Sequence, residues 1–145
     1  MKTIKKILVG IDGSESALNA ANYAINLAKE LKAKLELIYI IRYAMGNIDG
    51  GVFPYEIEKM EKENASKLIK NIKNSHKEIT IKDIELVGEP VEEINKVIDM
   101  WHPDLFIIGH HTHYFLENLF KGSVEKKLLR NLKVPLLVLP ENFDF

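Results

Sequence analysis

The chain has 145 residues, of which 46% are hydrophobic and 28% are charged, and its formal net charge is −1. These values predict one globular domain over residues 1–145 and argue against nucleic-acid binding, which needs a basic surface. The absence of cysteine excludes disulfide scaffolds, thiolate metal sites and thiol nucleophiles.

Apolar runs are short throughout the sequence. None approaches the roughly 20 residues of a membrane span, and the apolar stretch behind the first lysines is too short for a signal peptide. We therefore predict a cytoplasmic protein without a membrane partner.

In the first half of the chain, apolar runs alternate with helical patterns. Residues 4–10 contain the run Ile7-Leu8-Val9, which is typical of a buried strand. Ser14 is a predicted N-cap for a helix that extends to residue 31. A second strand over residues 35–41 precedes a second helix, which Pro54 opens and which ends near residue 75. The residues predicted to face inward are Leu18, Ala21, Ile25 and Ala28 in the first helix, and Ile57, Met60, Leu68 and Ile72 in the second.

The second half continues the alternation. Its predicted elements are a strand over residues 79–87, a helix over 91–101, a strand over 105–108, a helix over 123–132 and a strand over 134–139. Strands joined through helices form a parallel sheet that is covered on both faces. The fold class is therefore α/β, a doubly wound five-stranded parallel sheet in the order 3-2-1-4-5, with two helices on each face.

A ligand site is expected between strands one and four, where the strand order reverses and both carboxyl ends open. Asp12 and the segment from Gly109 to Thr112 leave the sheet there. The turn at Asp12 matches neither the dinucleotide fingerprint nor the P-loop. Its carboxylate repels phosphate at a helix start. Asp12 therefore suits a base, a ribose hydroxyl or a magnesium ion, or it is a plain helix cap.

A second candidate precedes the last helix. Gly122 and Ser123 combine free N–H groups with a hydroxyl, which favours an anion. Taken alone, the pair fits an ordinary turn and N-cap better than an anion site, because such caps are common.

Taken together, these residues resemble the universal stress protein family, whose nucleotide-binding members carry G-x2-G-x9-G-[ST] at this place. The match consists of Gly109, twelve intervening residues and Gly122-Ser123. The segments ILVGIDGS, GSVEK and VPLLVLP are also similar. The resemblance implies a stress-response binding module that takes ATP with magnesium. The residues it assigns to the nucleotide are Gly10, Asp12, Ile40, Ile108, Gly109, His111, Thr112, Gly122, Ser123 and Val124.

Position 112 departs from this motif, because threonine replaces its second glycine. A β-branched residue resists the positive φ that glycine adopts freely. The strain costs on the order of 1–3 kcal/mol, or roughly a tenfold to hundredfold loss of affinity. We therefore expect weak or absent ATP binding, with a nucleotide-free interaction dimer as the alternative. A slow ATPase is a further alternative, but no general base or phosphate lysine stands in a known motif, so we do not expect an enzyme.

The last strand, residues 134–139, carries no charge although the predicted order places it at an edge. An uncharged edge strand is an aggregation hazard. The other edge strand is protected by Lys82, Asp83 and Glu85. We therefore predict a homodimer through the last strand, centred on residues 136–139, as the family resemblance also implies.

Two further segments carry weaker hypotheses. His110, His111 and His113 form a histidine-rich stretch, but one short loop rarely completes a metal site, and no metal is expected. The glycine-rich residues 43–52 leave strand two on the same edge and are interpreted as a surface loop, with a lid as the alternative.

Overall fold

The computed structural model describes residues 2–42, 54–110, 130–140 and 143. Its helices and strands, in chain order, are β1 (Lys6–Ile11), α1 (Glu15–Leu31), β2 (Lys34–Ile41), α2 (Pro54–Ser75), β3 (Ile81–Val87), α3 (Pro90–Trp101), β4 (Leu105–Gly109) and β5 (Leu136–Leu139). The five strands form one sheet in the order β3-β2-β1-β4-β5, and every pair is parallel. The predicted fold class and strand order are confirmed.

The two faces of the sheet bury separate apolar clusters. One cluster joins alternate residues of the strands to α1 and α2, and the other joins the remaining strand residues to α3. Val9 lies at the centre of the sheet, in register with Leu37 and Ile107. The predicted helix over residues 123–132 falls almost wholly outside the described residues, so the second helix on the α3 face stays a prediction.

The start of α1 follows the sequence closely. Ser14 has extended backbone angles, and its hydroxyl accepts the Ala17 N–H at 3.2 Å, as an N-cap does. The buried face consists mainly of alanines, which let the helix lie close to the sheet. Leu18 was predicted to face inward but is exposed. It stands at the margin of this face, where the small neighbours Ala17 and Ala21 take the buried places instead.

The first turns of α2 differ from the prediction. The helix begins at Pro54 as expected, and Ile72 is buried, but Ile57 is 42% and Met60 59% exposed. A helix of 22 residues is about 33 Å long, whereas the seven residues of β3 span about 23 Å. Since α2 runs antiparallel to the strands, its first turns extend beyond the carboxyl edge of the sheet.

Candidate functional site

Asp12 stands at the predicted position, directly after β1 and before α1. It is one of the few buried charged residues, with 5% of its surface exposed. Its Oδ1 accepts a hydrogen bond from the N–H of Ser14 at 2.8 Å, so the carboxylate holds the N-cap residue of α1 in position. This contact supports the capping interpretation and also fixes the carboxylate at the carboxyl edge, where the positive end of the helix dipole favours it.

Gly109 ends β4 beside this turn. An ideal Cβ atom on Gly109 would lie 2.3 Å from the carbonyl oxygen of Ser16 and 2.8 Å from its Oγ. Such distances are far inside van der Waals contact. The first turn of α1 therefore packs on the bare Cα of Gly109. This steric requirement for glycine is independent of any phosphate, and the sequence analysis missed it because Ser16 carries no motif signal.

Gly13 has the opposite surroundings. No described atom lies within 4 Å of an ideal Cβ on Gly13, and its φ lies outside the left-handed region. Among the described residues, this position therefore faces open space beside Asp12. Backbone exposed in this way leaves room for a ligand to approach.

Three further predicted site residues lie on the α3 face of the sheet. Gly10 is buried, and a Cβ there would lie 3.2 Å from Cγ2 of Ile108. Ile40 and Ile108 belong to the apolar cluster under α3. The structure thus brings Gly10, Asp12, Ile108 and Gly109 together around the ends of β1 and β4. Ile40 lies one strand away in β2.

Apart from Gly109, the phosphate half of the predicted site lies outside the described residues, namely His111, Thr112, Gly122, Ser123 and Val124. His113 and the segment 43–52, which carry the metal and lid hypotheses, also lie outside them. The proposed roles of these residues stay predictions. Among the residues that the structure does describe, no three His, Cys, Asp or Glu side chains form a group that would hold a metal ion.

An ion pair at the same edge was not predicted. Arg42 follows β2, and its Nη2 lies 3.2 Å from Oε1 of Glu89, the residue before α3. The N–H of Gly88 also donates to the carbonyl of Ile41 at 2.9 Å. The sequence feature that could have predicted this ion pair is an arginine directly after a strand together with a glutamate directly before a helix. These contacts join the ends of β2 and β3.

Comparison with known proteins gives a consistent result. A sequence model of the universal stress protein family matches residues 3–140. The universal stress protein MJ0531 of Methanocaldococcus jannaschii is 32% identical over 138 residues, covering 92% of this chain and 81% of that protein.

Solved structures agree. The structure of protein MJ0577 from the same organism covers 99% of this chain and 100% of that one, at 28% identity and a TM-score of 0.73. A universal stress protein in complex with cAMP covers 96% of this chain and 98% of its own, at 22% identity and a TM-score of 0.68. Within the described part of the chain, no helix is both long and apolar enough to cross a membrane.

Proposed function

This chain belongs to the universal stress protein family, and from that membership we propose that it is a dimeric stress-response module that binds an adenine nucleotide weakly. The observation that carries the proposal is the buried Asp12 carboxylate, held at the edge between β1 and β4 beside the open backbone of Gly13. Ligands of open parallel sheets bind at this point of strand reversal.

The proposed ligand has two parts, which different residues would contact. Asp12 offers a fixed carboxylate, which accepts hydrogen bonds from ribose hydroxyls or a base and disfavours phosphate. Phosphates would then lie towards the segment from Gly109 to Ser123, as the family resemblance implies. The fold neighbour that holds cAMP supports an adenine nucleotide as the ligand class. Magnesium would accompany ATP.

The expected affinity for ATP depends on Thr112. If the loop after Gly109 adopts a glycine-like backbone on binding, threonine there costs roughly tenfold to hundredfold in affinity. We therefore expect weak or absent ATP binding by the native chain and tighter binding by Thr112→Gly.

Isothermal titration with ATP and magnesium tests this proposal. Ser123→Ala should weaken binding by removing a hydroxyl that the family resemblance assigns to the phosphates. Asp12→Asn should weaken it while retaining the oxygen that accepts the Ser14 N–H, so folding is preserved better than in Asp12→Ala. Tight native binding that Thr112→Gly leaves unchanged would show that the threonine is harmless. Absence of binding by every folded variant would place the chain among nucleotide-free interaction dimers.

The dimer is proposed through β5, which lies at the edge of the sheet with Val138 37% exposed. Backbone groups on an unpaired strand edge are satisfied when a second copy covers them. Sedimentation velocity at micromolar concentration should show a dimer that Val138→Lys converts to monomer. Met60→Lys, the same type of change at an exposed site on α2, is the control and should remain dimeric.

No catalytic step is proposed. The sequence offers no recognised general base, and the role proposed for Asp12 is binding. A phosphate-release assay with ATP and magnesium should give no turnover above the rate without protein. Measurable release that depends on Asp12 would favour the slow ATPase instead. The cytoplasmic location predicted from the sequence stays a prediction.

A further inference from the structure

A cleft opens at the amino-terminal edge of the sheet, opposite the proposed nucleotide edge. It has a volume of about 570 Å³ and lies among the end of α1, the loop over residues 76–80, the starts of β2 and β3, and the end of α3. We call it the lysine cleft, after its lining residues Lys29, Lys32, Lys34 and Lys82, which share it with Glu78 and Trp101.

The charges of the lysine cleft are unbalanced. Lys29 pairs with Glu78 at 3.2 Å, and Lys82 is in register with Glu36, whose carboxylate feels its charge. The side chains of Lys32 and Lys34 make no ion pair or hydrogen bond with any described residue. Two ammonium groups are therefore available to a ligand with two negative charges.

These lysines are not needed to cap α1. The helix ends in a left-handed residue, Lys32, whose backbone N–H donates to the carbonyls of Ala28 and Lys29. The N–H of Ala33 also donates to the carbonyl of Ala28 at 2.9 Å. Backbone donors thus satisfy the carbonyls of Ala28 and Lys29, as in other left-handed caps. The ammonium groups remain free for another partner.

The walls of the cleft add an apolar surface. Leu35 and Ile79 line it, and Trp101 presents an aromatic side chain. The ammonium of Lys6 lies 5.5 Å from the Trp101 ring centroid and donates to the Trp101 carbonyl at 2.8 Å. Both contacts hold this residue in place. A ligand with an apolar body as well as a charged group would use the whole cleft.

We propose that the lysine cleft is a second binding site, for a small organic phosphate that carries two negative charges and an apolar or aromatic body. The phosphate contacts Lys32 and Lys34, and the body packs against Trp101 and Ile79. The site is separate from the proposed nucleotide edge, because the two lie at opposite ends of the same strands.

Trp101 makes the test direct, because it is the only tryptophan of the chain. Its indole N–H gives a single, assignable signal in a two-dimensional ¹H–¹⁵N spectrum. Phenyl phosphate, a dianion with an aromatic body, is the probe. Titration of the native protein should shift the Trp101 signal saturably, whereas the neutral analogue benzyl alcohol should not shift it.

Two double variants distinguish a specific site from general attraction of the anion to surface lysines. Lys32→Gln/Lys34→Gln should weaken the affinity by at least about tenfold, since hydrogen bonds between charged groups are strong. Lys59→Gln/Lys67→Gln removes the same charge from exposed positions of α2 and should leave the affinity unchanged. Melting curves of both variants confirm folding.

Three results would overturn the proposal. One is a Trp101 shift that grows linearly without saturation. Another is equal weakening by both double variants. The third is a saturable shift at Gly13 with none at Trp101, which would place the anion at the nucleotide edge. Failure of ATP binding in the titrations above leaves this test unaffected, because the Trp101 signal reports on the opposite edge of the sheet.

Discussion

The two ends of the sheet are held together by different forces. At the carboxyl edge, the tightest contact is steric, because α1 packs on the bare Cα of Gly109, and the ion pair between Arg42 and Glu89 also lies there. At the amino edge, charged groups make the main contacts, because Asp104 accepts hydrogen bonds from backbone donors and Glu36 is buried near Lys82 and Lys6. All strands of a parallel sheet enter at one edge and leave at the other, so residues at the two edges can serve separate roles.

Asp104 is the centre of the amino edge. Its Oδ2 accepts the N–H groups of Lys5 and Lys6 at 2.9 and 3.0 Å, and its Oδ1 lies 2.9 Å from the ammonium of Lys2. The hydrogen bond from Lys2, together with the backbone donors, holds the pKa of Asp104 below its ordinary value. The carboxylate thereby fastens the start of β1 to the start of β4.

The largest expected effect comes from disturbing the steric contact at the carboxyl edge. Gly109→Ala forces a methyl group against the backbone of Ser16, and the first turn of α1 must move away from the sheet. We expect a loss of about 3 kcal/mol in the free energy of unfolding, at the upper end of overpacking costs. Urea denaturation measures it. Because the cause is steric, the loss should be equal at pH 5 and pH 7.

Gly13→Ala is the matched control at the same edge. Its Cβ meets no described atom, and its backbone suits alanine, so stability should change by less than about 1 kcal/mol. A loss at Gly13 as large as that at Gly109 would contradict the assignment of the effect to the contact with Ser16.

The next largest effect comes from removing the Asp104 carboxylate at the amino edge. Asp104→Ala leaves the N–H groups of Lys5 and Lys6 without their acceptor, which costs about 2 kcal/mol at pH 7. Because the folded pKa of Asp104 is lowered, its contribution is present above the ordinary pKa of the group and is lost as the pH falls through the folded pKa. Native and variant stabilities should therefore converge in acid, as followed by urea denaturation from pH 7 to pH 3.

Asp99→Ala provides the comparison for Asp104. Asp99 pairs with Lys133 at 3.0 Å, but both side chains are more than half exposed. Such a pair contributes less than about 1 kcal/mol. An equal loss from the two variants would show that burial and backbone donors do not distinguish Asp104.

The smallest expected effect is an increase in stability, from a substitution at Glu36. Glu36 is 7% exposed, and burial raises its pKa, with a smaller rise from Asp83, against the opposing charges of Lys82 and Lys6. A raised folded pKa means that stability is greatest below the ordinary pKa and is lost as the pH rises through the folded pKa. Glu36→Gln should therefore raise the melting temperature at pH 7.

The gain from Glu36→Gln should disappear in acid, where the native carboxyl is protonated. Glu85→Gln, on the exposed side of β3, should leave the melting temperature nearly unchanged at both pH values. Destabilisation by Glu36→Gln at pH 7 would show instead that the charge attraction from Lys82 and Lys6 exceeds the cost of burial.

The sequence by itself was sufficient for the fold class, because alternating buried runs and helical patterns require parallel crossovers. Ser14 and Pro54 were identified as helix starts because capping depends on local chemistry. Ile57 and Met60 were wrongly assigned to the core. Periodicity shows which residues share a helix face, but it does not show where the sheet beneath that helix ends.

Within the candidate site, the sequence located Asp12 and Gly109 at the ends of two adjacent strands, where the strand order reverses. Only the tertiary structure decided why Gly109 must be glycine, because Ser16 reaches it across the β1–α1 turn from 93 residues away in the chain. The same holds for the lysine cleft, whose lysines come from α1, β2 and β3. Local pattern fixes secondary structure, whereas contacts between distant segments depend on how helices and strands pack.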